Sequence, residues 1–88
     1  MSHFKIEFKA AARKSLERLE KQDQLRIYAA IELLGDNPWP PLAVKIKGSD
    51  YFRVRVGDYR ILYSIDSGRL IILIIDLGHR REIYRSVN

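Results

Sequence analysis

Arginines dominate the chemistry available in the second half of this chain. Residues 41–88 hold nine basic side chains against five acidic ones, and seven of the nine are arginine: Arg53, Arg55, Arg60, Arg69, Arg80, Arg81 and Arg85. A guanidinium meets a phosphate bidentately through a planar fork, whereas lysine serves generic solubility equally well. Tyr51, Tyr59, Tyr63 and Tyr84, four of the five tyrosines, fall in the same stretch. Cations interleaved with rings suit single-stranded RNA, whose bases stack on aromatics while its phosphates meet guanidinium groups. A solvated basic face over a core that holds the tyrosines gives the same composition.

Spacing sharpens the choice. A two-residue turn at Gly57-Asp58 sets Val56 opposite Tyr59, Arg55 opposite Arg60, Val54 opposite Ile61 and Phe52 opposite Tyr63. Phe52, Val54, Val56, Tyr59, Ile61 and Tyr63 then share an apolar face. Tyr51, Arg53, Arg55, Arg60, Leu62 and Ser64 share the other. Like charges directly opposed in a sheet cost up to about 1 kcal/mol, so Arg55 against Arg60, with Arg53 two residues along, is a poor structural choice unless an anion relieves it. Neutralisation by Asp50, Asp58 or Glu82 is the alternative.

The segment Gly78-His79-Arg80-Arg81-Glu82-Ile83-Tyr84-Arg85 adds a second group. Arg80 and Tyr84 are four apart and share a face in either an extended or a helical chain. His79 has neighbours that suggest chemistry, although a lone histidine is more often a surface or capping residue. Neither a metal-ligand spacing, a Gly-rich phosphate loop nor a nucleophile motif is present, so neither metal nor cofactor is expected.

The elements that position these groups must come from 88 residues, enough for one domain spanning 1–88. A domain of this size buries only about 60–65% of its unfolded surface, so its active surface is expected to be a shallow groove. The absence of cysteine excludes disulfides, thiolate zinc sites, iron–sulfur clusters and a cysteine nucleophile, and it fits a reducing cytoplasm. The opening residues lack the apolar stretch of a secretory signal. The longest apolar run, Leu70 to Ile75, is far short of the roughly 20 residues of a membrane helix. The chain is therefore read as soluble and cytoplasmic, without a membrane partner.

Phe4, Ile6 and Phe8 alternate with charged residues as in a half-buried strand. Ala12, Leu16 and Leu19, then Ile27, Ile31 and Leu34, have helical spacing, with Asp23 as the expected N-cap of the second helix. Gly35-Asp36-Asn37-Pro38 ends that helix. Strands follow near 51–56, 59–65 and 69–77, separated by Gly57-Asp58 and Asp66-Ser67-Gly68. The order β-α-α-β-β-β predicts an α+β fold, an antiparallel sheet packed on an N-terminal helical hairpin with a short C-terminal segment. Leu70 to Ile75, apolar on both faces, reads as the central strand.

These residues resemble the RelE/ParE superfamily of toxin–antitoxin toxins, and in particular its RelE branch. The resemblance covers nearly the whole chain: FKIEFKAAARKSLERL, the helix ending before Pro38, Lys45-Ile46-Lys47-Gly48, YFRVRVGDYRILYSI and GHRREIY. It implies a ribosome-dependent endoribonuclease that cuts mRNA in the decoding site and is silenced by an acidic antitoxin in a toxin–antitoxin hetero-oligomer. By the resemblance, Arg60 matches the arginine that stabilises charge on the scissile phosphate. Arg80 matches an arginine with a leaving-group or phosphate role, and Tyr84 a tyrosine that orients the nucleotide. Arg53 and Arg55 stand where RelE members often carry lysines, one of them considered the base for the 2′-hydroxyl. Arginine does not lose its proton in proteins, so here both hold phosphate and neither is a conventional base. Lys45, Lys47 and Arg81 join them as expected substrate-binding cations.

With neither a metal nor a protein nucleophile, the simplest cleavage is in-line attack by the RNA's own 2′-hydroxyl, leaving a 2′,3′-cyclic phosphate and a 5′-hydroxyl. His79 or Tyr84 can move the protons, Tyr84 only if its phenol is perturbed, and His79 is the favoured carrier. Two other readings stand beside this one: a ParE-like DNA gyrase inhibitor without nuclease activity, and an RNA-binding domain that does not cleave. An acidic, partly disordered partner that folds over the arginines follows from the charge.

Overall fold

The computed structural model describes residues 3–79. Its elements are β1 (Lys5–Phe8), α1 (Ala10–Glu17), α2 (Lys21–Asp36), β2 (Val44–Lys45), β3 (Tyr51–Val56), β4 (Tyr59–Asp66) and β5 (Ile71–His79). The strands form one sheet in the order β1-β5-β4-β3-β2. This is the expected α+β architecture, with two refinements. The short strand β2 joins the edge of β3, with Val44 opposite Arg53 and Lys45 opposite Phe52. The other edge is parallel rather than antiparallel: β1 pairs with β5 from Lys5 opposite Ile71 to Phe8 opposite Ile74. The helices carry the chain from one sheet edge to the other, so the strand beside β1 is the last one, reached by a long crossover rather than a turn.

The core forms where both helices lay their apolar stripes on one sheet face. Ala12 and Leu16 of α1 and Ile27, Ile31 and Leu34 of α2 pack on Val54, Ile61, Tyr63, Ile72, Ile74 and Leu77. Tyr63 is the largest fully buried side chain, and its hydroxyl donates to Pro38 O at 2.8 Å. Burial pushes its phenol pKa up to about 12.

Helix α2 starts earlier than the sequence suggests. Glu20 takes the N-cap position without a side-chain bond, and Asp23 lies inside the first turn. The carboxylate of Asp23 is engaged elsewhere, as described below. Gln24 instead donates to Leu16 O and Leu19 O, satisfying carbonyls at the end of α1. At the other end the helix stops at Asp36, with Asn37 extended. Gly35 serves closeness rather than termination: Phe4 N donates to its carbonyl at 2.9 Å, and a Cβ there would meet Phe4 O at 3.3 Å.

β5 is interior, between β1 and β4, and carries the feature that matters most for the site. Leu62 faces Asp76 while Tyr63 faces Ile74, so Ile75 is an extra residue in the ladder. Such a bulge resets which side chains face which way. Ile72, Ile74 and Leu77 reach the helices, while Ile75 joins Leu62 in a small cluster with Ile46, Tyr51 and Leu73. Among the described residues, no helix is long and apolar enough to cross a membrane.

Candidate nucleic-acid interface

The hairpin of β3 and β4 has the expected register: Arg55 faces Arg60, Val54 faces Ile61 and Val56 faces Tyr59. Gly57 takes φ 60° at the first position of the turn, which suits glycine. Arg55 Nε donates to Gly57 O at 3.2 Å, which ties its stem to the turn. With Val54, Ile61 and Tyr63 committed to the helices, alternation sends Arg53, Arg55, Arg60 and Leu62 to the opposite face.

A shallow groove of about 510 Å³ lies there, lined by Leu42, Val44, Arg53, Arg55, Gly57, Asp58 and Arg60. Val44 enters because it pairs with Arg53 and so shares its face. The groove therefore has one apolar wall, the Asp58 carboxylate and three guanidinium groups, all three on paired strands and two of them, on Arg55 and Arg60, directly opposed. Across β4, Arg60 faces Gly78, which places no side chain between strands at that point. Cations fixed on a hydrogen-bonded ladder reorganise little when an anion arrives. That arrangement can bind a phosphate and stabilise added charge on it.

Other expected site residues lie elsewhere. Lys45 pairs with Phe52 and takes that residue's face rather than the arginines'. Lys47 lines a separate recess with Lys45, Ile46, Gly48, Ser49 and Asp50. His79 pairs with Tyr59, and the two rings meet edge-on with centroids 5.2 Å apart. Tyr59 packs against the helix-side core, so His79 is not brought to the arginine groove. The bulge at Ile75 is the reason. Unbroken alternation from Ile74 would turn Leu77 and His79 toward the arginines, whereas beyond the bulge Leu77 packs in the helix-side core and His79 meets Tyr59. Arg80, Arg81 and Tyr84 lie outside the described residues.

Three features have little signal in the sequence. Leu42 and Val44, which wall the groove, follow two prolines in a segment with no clear period. Tyr59 donates a hydrogen bond to Asp23 Oδ2 at 2.9 Å across 36 positions of sequence. That bond, then burial, then the negative charges of Asp23, Glu20 and Asp58 raise the Tyr59 phenol pKa. The third is a second, apolar groove of about 620 Å³ between α2 and β3, lined in part by Ala30, Leu33, Leu42, Val54 and Val56. Leu33 is 69% exposed and Leu42 71%. Both grooves include Leu42 and Arg55, so they adjoin.

A family model described as the ParE toxin of type II toxin-antitoxin system, parDE, matches residues 6–84. Toxin RelG of Mycobacterium tuberculosis is 33% identical over 90 residues, which cover 93% of this chain and 97% of RelG. The fold is similar to a chain of the RelBE2 toxin-antitoxin complex from Mycobacterium tuberculosis, with TM-score 0.80, 25% identity and coverage of 89% of this chain and 99% of that one. It is also similar to a chain of the archaeal RelE-RelB complex from Pyrococcus horikoshii, with TM-score 0.75, 27% identity and coverage of 91% and 97%. With the arginine-bearing hairpin set on this sheet and a match along most of its length, the chain belongs to the RelE/ParE family of type II toxin–antitoxin toxins.

Proposed function

We propose that this toxin is a ribosome-dependent endoribonuclease that cleaves mRNA and so stops translation. The observation that carries the reading is the placement of Arg53, Arg55 and Arg60 in one groove, with Arg55 directly opposite Arg60. The 2′-oxygen of the RNA attacks the adjacent phosphorus, and the bond from phosphorus to the 5′-oxygen breaks. The 2′-hydroxyl gives its proton to water and the departing 5′-oxygen takes one from water, leaving a 2′,3′-cyclic phosphate and a 5′-hydroxyl.

In this reading Arg53 and Arg55 hold the phosphate while Arg60 stabilises the charge that builds on it. A well-placed donor of that kind contributes roughly 3–4 kcal/mol. Arg80 steadies the phosphate or leaving group, and Tyr84 orients the nucleotide. Lys45, Lys47 and Arg81 contribute charge along the RNA rather than at the reacting phosphorus. His79, edge-on to Tyr59 on the other face, lies away from the reacting phosphorus in this reading.

The same chain pairs with an acidic antitoxin. The apolar groove suits an amphipathic segment with leucine-like anchors at Leu33 and Leu42, and its acidic residues then reach Arg55 in the adjoining groove. Such a segment silences the toxin by occupying the phosphate site.

Inhibition of DNA gyrase without RNA cleavage is the second reading, favoured by the ParE description of the matching family model. Purified protein distinguishes them. On translating ribosomes the nuclease yields mRNA fragments with cyclic-phosphate 3′ ends and leaves gyrase supercoiling unaffected. Intact message together with blocked supercoiling establishes the second reading instead.

A further inference from the structure

The tip of the arginine hairpin is held from behind. Tyr59 is the first residue of β4, and its neighbour Arg60 belongs to the phosphate groove, so the two side chains leave the strand on opposite faces. On the helix side, the Tyr59 hydroxyl bonds the Asp23 carboxylate in the first turn of α2. The Tyr59 ring also meets His79, which ends β5. A helix, the catalytic hairpin and the end of β5 are thus joined through one side chain. Arg26 lies close by: a Cβ on Gly57 would sit 3.1 Å from its Nη1, so α2 also backs the turn itself. The groups facing Tyr59 from these elements are Glu20 at the N-cap of α2, Asp23 in its first turn, Asp58 of the turn and His79 of β5.

We propose that Tyr59 is a positioning residue, clamped between Asp23 and His79, that sets Arg60 for phosphate contact from the opposite side of the sheet. Twisting of β4 about its axis at residue 59 swings Arg60 by the same angle, because consecutive side chains share that axis. The two partners restrain that twist from two elements at once. A reacting group displaced by about 1 Å loses on the order of 100-fold in rate, so a tether of this kind acts on turnover more than on binding. His79 acts here through its ring contact. The inference rests on the endoribonuclease reading.

The test compares variants of the full chain on mRNA-programmed ribosomes. Tyr59→Phe keeps the ring and removes the hydrogen bond. It is expected to lower kcat roughly 10- to 100-fold with KM within about twofold. Asp23→Ala is expected to match it, Asp23→Asn to recover most of the loss because its amide oxygen still accepts, and the double variant Tyr59→Phe/Asp23→Ala to be no slower than either single one. His79→Phe is expected to restore what His79→Ala loses, without altering the pH profile of kcat. Wild-type kcat in Tyr59→Phe overturns the clamp. So does an additive loss in the double variant, or a failure of phenylalanine at position 79 to rescue. Should the wild type cleave no message at all, the nuclease reading has failed and amide exchange decides the clamp alone. Exchange at residues 55–60 at least about tenfold faster in Tyr59→Phe supports it, and unchanged exchange overturns it.

Discussion

Arg55 and Arg60 face one another across a ladder where two like charges cost up to about 1 kcal/mol. Removing one charge therefore improves the fold and damages the site. Arg55→Gln is expected to raise unfolding stability by up to about 1 kcal/mol while weakening binding to single-stranded RNA, with the slope of log affinity against log salt shallower by about 0.7. Denaturant unfolding and a salt titration with a short oligonucleotide measure the two effects. Tyr63 gives a second residue-scale prediction. Its phenol is pushed up to about 12 by burial, so the folded state favours the neutral form. The associated stability is fully present below the unfolded value near 10 and is lost as pH rises from there toward 12, amounting to roughly 2–3 kcal/mol. Tyr63→Phe is expected to flatten that alkaline loss relative to wild type. At neutral pH it also forfeits the bond to Pro38 O, at about 1 kcal/mol.

Among the elements, the β3–β4 hairpin was the most legible from sequence. Period-two alternation on both strands and a two-residue Gly57-Asp58 turn leave a single register that buries Val54, Ile61 and Tyr63 together. β5 was less so, because a bulge inside an apolar run changes no residue type that a pattern would register. Ile75 fits either face, yet its extra position decides where His79 goes. Asp23 misled for a related reason. Its type suits an N-cap, while a partner 36 positions away claims its carboxylate. The parallel pairing of β1 depends on the path of the whole chain, which local spacing does not encode. The turn before β5 also holds a strained residue: Leu70 has φ 55° and is 42% exposed. A branched side chain in the left-handed region costs about 1 kcal/mol or more. Leu70→Gly is expected to raise stability by roughly 0.5–1 kcal/mol, read from the denaturation midpoint, with cleavage unaltered.

Taken as a whole, the molecule carries a net charge of +5 on 88 residues, and the described part of its arginine surface is a groove that adjoins an apolar one. The two suit one occupant that is acidic on one side and apolar on the other, the character of an antitoxin segment. Leu33→Asp is expected to weaken antitoxin binding at least about tenfold, measured by calorimetry, while ribosome-dependent cleavage continues. Unchanged affinity places the antitoxin on another surface. The nuclease reading itself rests on Arg60, the arginine opposite Arg55 whose neighbour is clamped from behind. Its direct test is single-turnover cleavage of ribosome-bound mRNA, with end mapping, by wild type, Arg60→Lys and Arg60→Ala. Arg60→Ala should still bind the ribosome but cleave 100- to 1,000-fold more slowly, about 3–4 kcal/mol of lost transition-state stabilisation, with lysine recovering part of the rate at the same cleavage positions. Cleavage at the wild-type rate by Arg60→Ala would contradict the assignment.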